Sequence, residues 1–213
     1  MLRFSANLSM LFLEYSFLER FDKAAQSGFR GVEFMFPYDY DIDVLKEKLQ
    51  SNQLEHTLHN LPAGDWAAGE RGIACIPGRE DEFRDGVAAA VRYAKGLGNK
   101  KINCLVGKTP TGFSAEQIQQ TLVENLRYAA NMLAKEDILL LIEPINHFDI
   151  PGFHLTGTHQ ALALIDSVGC NNIKIQYDIY HMQRMEGELT QTMTTWANKI
   201  CLLYTSPSPR DCS

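Results

Sequence analysis

Two carboxylates mark where this sequence could do chemistry. Glu143 follows five consecutive apolar residues, Ile138-Leu139-Leu140-Leu141-Ile142, and precedes Pro144, which puts it at the carboxyl end of a central strand. Burying a carboxylate there is costly unless it is paired, metal-bound or chemically engaged. The structural alternative is a strand-end glutamate that accepts hydrogen bonds from the following loop. Asp178 repeats the arrangement in IKIQYDIYH, where Lys174, Gln176 and Asp178 alternate with Ile173, Ile175 and Tyr177. Adjacent strands lie about 4.8 Å apart. Carboxylates at the ends of two neighbours can therefore share one hard divalent cation, or divide base and ligand duties.

Other residues are weaker signals. His181, three residues after Asp178, falls in the turn expected to leave that strand, where it either hydrogen-bonds a substrate oxygen or packs the loop. His56 and His59 lie on one strand and point to opposite faces by the period-two rule, so at most one faces an interior site, and both read as structural. His147, His154 and His159 lie in or beside the segment after Glu143, without metal-ligand spacing. Arg71 and Arg79 have the guanidinium geometry to hold a substrate carboxylate bidentately, and each alone reads equally as a surface arginine.

The elements that must position these residues alternate. Six short apolar runs read as strands: Arg3 to Asn7, Gly31 to Phe36, His56 to Asn60, Lys101 to Val106, Ile138 to Glu143, and Ile173 to Asp178. Between them lie helical periods, such as the stripe of Phe17, Leu18, Phe21, Ala24 and Ala25 ending near Gly28. Ser114 with Gln117 forms a capping box before Ile118, Leu122, Leu126 and Leu133, and Thr158 is expected to cap a helix that stops at Gly169. Alternating strands and helices predict an α/β fold with a parallel sheet, a (β/α)8 TIM-type barrel of about six βα units and the start of a seventh strand. Residues 61–79 and 144–157 are Gly/Pro-punctuated and lack helical period. Both follow strands, so in a barrel they sit on the carboxyl-terminal face, where active sites are built.

Composition narrows the function. With 213 residues, 45% hydrophobic and 22% charged, the chain has enough apolar material for one sizeable core. A net charge of -6 opposes non-specific binding to nucleic acid or an anionic membrane, which points to small-molecule work. Five cysteines without C-x-x-C spacing suggest neither a disulfide framework nor a zinc ribbon, and a reducing cytoplasm is the expected setting. The apolar start is interrupted by Arg3, Asn7 and Glu14, so no export signal or membrane span is read there. Residues 1–200 read as the partial barrel domain. Residues 201–213, CLLYTSPSPRDCS, lose periodicity and read as a non-native or disordered tail resembling translated library-adapter sequence, with a flexible natural terminus as the alternative.

The segments RFSANLSMLF, GVEFMFPYDY, HNLPAGDWAAGERGIACIPGR, LLIEPINHFDIPGF and QYDIYHMQRMEGEL resemble the hydroxypyruvate isomerase family of the xylose-isomerase-like barrels, from about Arg3 to Ile200. The resemblance implies interconversion of hydroxypyruvate with 2-hydroxy-3-oxopropanoate (tartronate semialdehyde) by enediolate proton transfer, without an organic cofactor. It implies that Glu143 is one of two proton-transfer glutamates, and that Glu143 and Asp178 hold part of a Mg²⁺ or Mn²⁺ site. His181 would orient the substrate, and Asn60 or Arg79 would contact its carboxylate. A glutamate that ligates a metal is a hindered base, so the two roles of Glu143 compete. The family's seventh strand carries a further metal-site residue and its eighth the second glutamate, in a C-E-Y context that this sequence does not contain. Truncation is therefore expected, with an inactive fragment as one alternative reading. An isomerase or epimerase of another small sugar or keto acid, such as a 2-oxo-tetronate, is a second. The expected partner is a small hydroxy or keto acid, with neither nucleic acid nor membrane, and self-association is compatible with the full-length protein. A three-zinc abasic-site nuclease of the same barrel group is opposed by the acidic charge.

Overall fold

Short strands joined by long amphipathic helices can pair only in parallel, because each helix carries the chain back to the end where the previous strand began. A computed structural model, which describes residues 3–204, has this architecture. The strands are β1 (Ser5–Asn7), β2 (Gly31–Glu33), β3 (Glu55–Asn60), β4 (Lys101–Cys104), β5 (Leu139–Ile142), β6 (Ile173–Asp178) and β7 (Ile200–Tyr204). They form one parallel sheet in sequential order, β1 to β7. The intervening helices are α1 (Phe17–Gln26), α2 (Ile42–Ser51), α3 (Glu80–Leu97), α4 (Ala115–Ala134) and α5 (Thr158–Val168), followed by the short α6 (Ile179–Met185) and α7 (Leu189–Thr195). From α1 to α5 each helix packs on the next, as in the outer ring of a TIM-type barrel.

Local signals account for most boundaries. Ser114 Oγ accepts from Gln117 N at 3.3 Å while Gln117 Oε1 accepts from Ser114 N at 2.8 Å, starting α4 as expected. Gly169, in the left-handed region at φ 70°, ends α5. Thr158 does not cap α5. It is the first helical residue, and its amide donates instead to Glu186 Oε1 at 2.5 Å, so a carboxylate from beyond α6 satisfies the helix start. Strand β7 extends the barrel four residues past the boundary expected at residue 200, as far as Tyr204; the rest of the expected tail, 205–213, lies outside the described residues. No described helix is long and apolar enough to cross a membrane.

One irregularity overturns a period-two expectation. Val32 pairs with His56 but Glu33 pairs with Leu58, so Thr57 is an extra residue in β3. Such a bulge shifts alternation by one and brings positions three apart onto the same face. The rings of His56 and His59 accordingly stack, with centroids 5.2 Å apart and planes at 12°. Both are buried, as expected of structural histidines.

Candidate active site

The carboxyl ends of β1, β2, β3, β5 and β6 open on one cleft of about 230 Å³, where Asn7, Glu33, Asn60, Glu143, Gln176 and Asp178 meet. Apolar flanks from Leu58, Leu105, Ile145 and Ile150 line it as well. These polar residues lie at or next to the carboxyl ends of their strands, so the sheet itself fixes their spacing.

Glu143 is buried just beyond β5, where its Oε2 accepts from Asn103 Nδ2 at 3.2 Å. Asn103 also donates to Asn60 Oδ1 at 3.2 Å, so one amide ties the carboxylate to β3 and β4. Burial, then the charge of Asp178, push the Glu143 carboxyl up to about 8, against the hydrogen bond from Gln176. Asp178 is fully buried and serves two neighbours. Its Oδ1 caps α6, accepting from Tyr180 N at 2.7 Å and His181 N at 3.2 Å, while Oδ2 lies 4.0 Å from His181 Nε2. His181 thus sits in the first turn of α6 rather than in a free turn. Ligand atoms of Glu143, Asp178 and His181 all lie within 4.8 Å of one another.

Asn146 decides which nitrogen of His181 carries its proton. Its Oδ1 accepts from Asp149 N at 2.9 Å and its Nδ2 donates to Asp149 Oδ2 at 2.9 Å, which fixes the amide's orientation. The same Nδ2 donates to His181 Nδ1 at 2.7 Å, so in the neutral imidazole Nε2 holds the hydrogen and faces the cleft as a donor. Burial holds the His181 pKa down, against the pull of Asp178 and Asp149. The donor set therefore divides: two carboxylates suit a hard divalent cation such as Mg²⁺ or Mn²⁺, and His181 suits an oxygen on a substrate. Gln176 adds a buried Oε1 without a hydrogen-bond partner among the described residues, which also favours an oxygen-binding cation or a donor at this point.

Not every candidate gathers here. Asn60 lines the cleft, but Arg79 does not. Its guanidinium pairs with Glu70 and, at 2.7 Å, with Glu82, leaving it a brace for the loop after β3. Arg71 stacks on the Trp66 ring at 3.9 Å and donates to Trp66 O at 3.1 Å. Trp66, packed on Phe36 with centroids 5.1 Å apart, is the part of that loop that reaches the cleft. His154 bonds Thr109 at 3.0 Å and His159 packs on Trp196, both away from the cleft. Asn7, Glu33, Trp66 and Gln176 line the cleft and were not among the candidates read from the sequence. Glu33 carries a weaker sequence signal than Glu143: it is a charge inside the apolar run GVEFMF, whereas Glu143 closes one.

Residues 21–212 match the family model of the xylose isomerase-like TIM barrel, and the chain belongs to that family. Within it, hydroxypyruvate isomerase of Escherichia coli (strain K12) is 83% identical over 209 residues, covering 98% of this chain and 81% of the relative. The 2-oxo-tetronate isomerase of Cupriavidus necator is 44% identical over 191 residues, covering 90% of this chain and 74% of the relative. A solved structure from Brucella melitensis, described as an AP endonuclease of family 2, superposes with a TM-score of 0.93 at 44% identity, covering 95% of this chain and 78% of that one.

Proposed function

We propose that the protein is an intramolecular oxidoreductase that interconverts hydroxypyruvate and 2-hydroxy-3-oxopropanoate. The observation that carries this reading is the convergence of Glu143, Asp178 and His181 within 4.8 Å at the barrel mouth. The 83% identity to an E. coli hydroxypyruvate isomerase supports the substrate. Moving the carbonyl of hydroxypyruvate from C2 to C3 removes a proton from C3, passes through an enediolate and returns a proton to C2. Glu143, held by Asn103 and Gln176, is the carboxylate placed for one of these transfers. His181 donates from Nε2 to a substrate oxygen and so holds the carbonyl or the enediolate in register. Asp178 keeps His181 in place by capping α6. A Mg²⁺ or Mn²⁺ ion held by Glu143 and Asp178 would supply electrostatic stabilisation of the enediolate oxygens.

The roles of Glu143, Asp178, His181 and Asn60 belong to this proposal, as does the cytoplasmic setting, with which the free cysteines Cys75, Cys104, Cys170 and Cys201 agree. An acidic cleft in a chain of net charge -6 disfavours a nucleic-acid substrate. The relative that acts on 2-oxo-tetronate supplies the competing substrate. Coupled assays with hydroxypyruvate, a 2-oxo-tetronate and a panel of ketoses decide between them. Preferred turnover of hydroxypyruvate is expected, and turnover of another substrate without it would overturn the assignment.

A further inference from the structure

The cleft holds a third buried carboxylate, which the mechanism does not use. Glu33 closes β2, is 3% exposed and lines the same cleft, yet it is not one of the three residues whose ligand atoms cluster within 4.8 Å. Its position is built. The bulge at Thr57 changes the β2–β3 register at Glu33, and Leu8 N donates to Glu33 O at 2.8 Å. Asn7 Nδ2 donates to Glu33 Oε1 at 3.1 Å, with the amide oriented by Ser9 N donating to Asn7 Oδ1 at 2.9 Å. A third carboxylate in a cleft already holding Glu143 and Asp178 is an electrostatic cost, since Glu33 also helps raise the Glu143 pKa. A carboxylate in that place accepts hydrogen bonds strongly and repels anions.

We propose that Glu33, with Asn7 behind it, is a specificity residue that accepts the hydroxymethyl hydroxyl of the substrate and rejects its carboxylate. This rests on the hydroxypyruvate reading and adds a direction to it. Hydroxypyruvate has a hydroxyl at one end and an anion at the other, so a fixed negative group at β2 turns the hydroxyl toward Glu33. The carboxylate is left on the side away from the Glu33 carboxyl. Of the two ends, only one orientation then presents C3 to the site, which a symmetrical hydrogen-bonding cleft would not enforce.

The test separates this role from the overall activity. D-Glycerate and D-lactate differ only in the C3 hydroxyl, and their binding to the full chain can be measured by calorimetry without turnover. Wild type is expected to bind glycerate about tenfold or more tightly than lactate, the worth of a hydrogen bond to a charged acceptor. In Glu33→Ala the ratio should fall to about two or less, and Glu33→Gln, which keeps the shape and an acceptor oxygen, should fall between. With hydroxypyruvate, Glu33→Gln should raise KM more than it lowers kcat. Equal affinity for the two acids in wild type, or an unchanged ratio in Glu33→Gln that melts at the wild-type temperature, overturns the proposal. Turnover of another keto acid or ketose without turnover of hydroxypyruvate, alongside an intact glycerate preference lost on mutation, overturns the substrate assignment while sustaining the role of Glu33.

Discussion

Glu143 and Asp178 carry the same functional group and are put to different uses by what surrounds them. One oxygen of Asp178 is committed to two amides of α6, whereas Glu143 receives only side-chain amides, from Asn103 and Gln176. In the proposed reaction, proton transfer therefore falls to Glu143. Glu143→Gln keeps the volume and one acceptor oxygen but removes the ionisable carboxyl. It should lower kcat by about 10²–10⁴-fold while leaving glycerate affinity within a few fold; steady-state kinetics and calorimetry report the two separately. Loss of binding in step with kcat would show that the residue acts mainly as a ligand. At this scale the sequence was legible where a charge ends a strand pattern, an apolar run at Glu143 and an alternating one at Asp178. It was misleading where a guanidinium lies in a functional loop, because the partners that occupy Arg79, Glu70 and Glu82, are equally ordinary in sequence.

The strands and helices themselves were readable from periodicity because a parallel barrel demands apolar runs and amphipathic returns. The bulge at Thr57 was not, since a single inserted residue leaves no composition signal, and it alone reverses the expected faces of His56 and His59. The two long loops were legible as places for function only by their lack of period; how they join is a matter of backbone contact. Gly72, at φ 112°, is packed so tightly that an added Cβ would stand 1.9 Å from Leu105 O, and Gly107 is equally closed in, with its Cβ 2.5 Å from Gly72 O. Backbone therefore lies on backbone where the loop after β3 meets the segment after β4, and Cys75 N donates to Val106 O at 3.0 Å close by. Gly72→Ala should destabilise the protein by more than about 2 kcal/mol through this clash and the positive φ. Gly78→Ala has a positive φ as well but open space, and should cost less. Denaturant midpoints of the two variants test the difference, and equal losses would mean that backbone strain alone, not the close approach, matters.

At the scale of the whole molecule, the His56–His59 stack joins two apolar clusters. His56 stacks on Phe34 with centroids 4.3 Å apart, within the cluster of α1 and α2, while His59 reaches Ala90 O of α3 at 3.3 Å, in the cluster of the remaining barrel. Tyr38 packs edge-on to His59, and Asn99 bonds its Nδ1 at 3.2 Å. Burial holds His59 down from 6.5 to about 4, and burial with the neighbouring His59 holds His56 well below its ordinary value. Protons consequently bind the unfolded chain before the folded one. Stability from these groups is fully present above pH 6.5 and is lost as the pH falls toward 4. For His59 alone the loss approaches about 3 kcal/mol, and protonating His56 would also place an added N–H at Nδ1, which has no partner among the described residues. Urea unfolding at pH 7.5 and at about pH 4.5 should therefore show a stability loss in wild type that exceeds that of His59→Gln by about 2 kcal/mol or more. Parallel losses in the two proteins would assign the acid sensitivity to the carboxylates instead, and would leave the seam between the clusters indifferent to protonation.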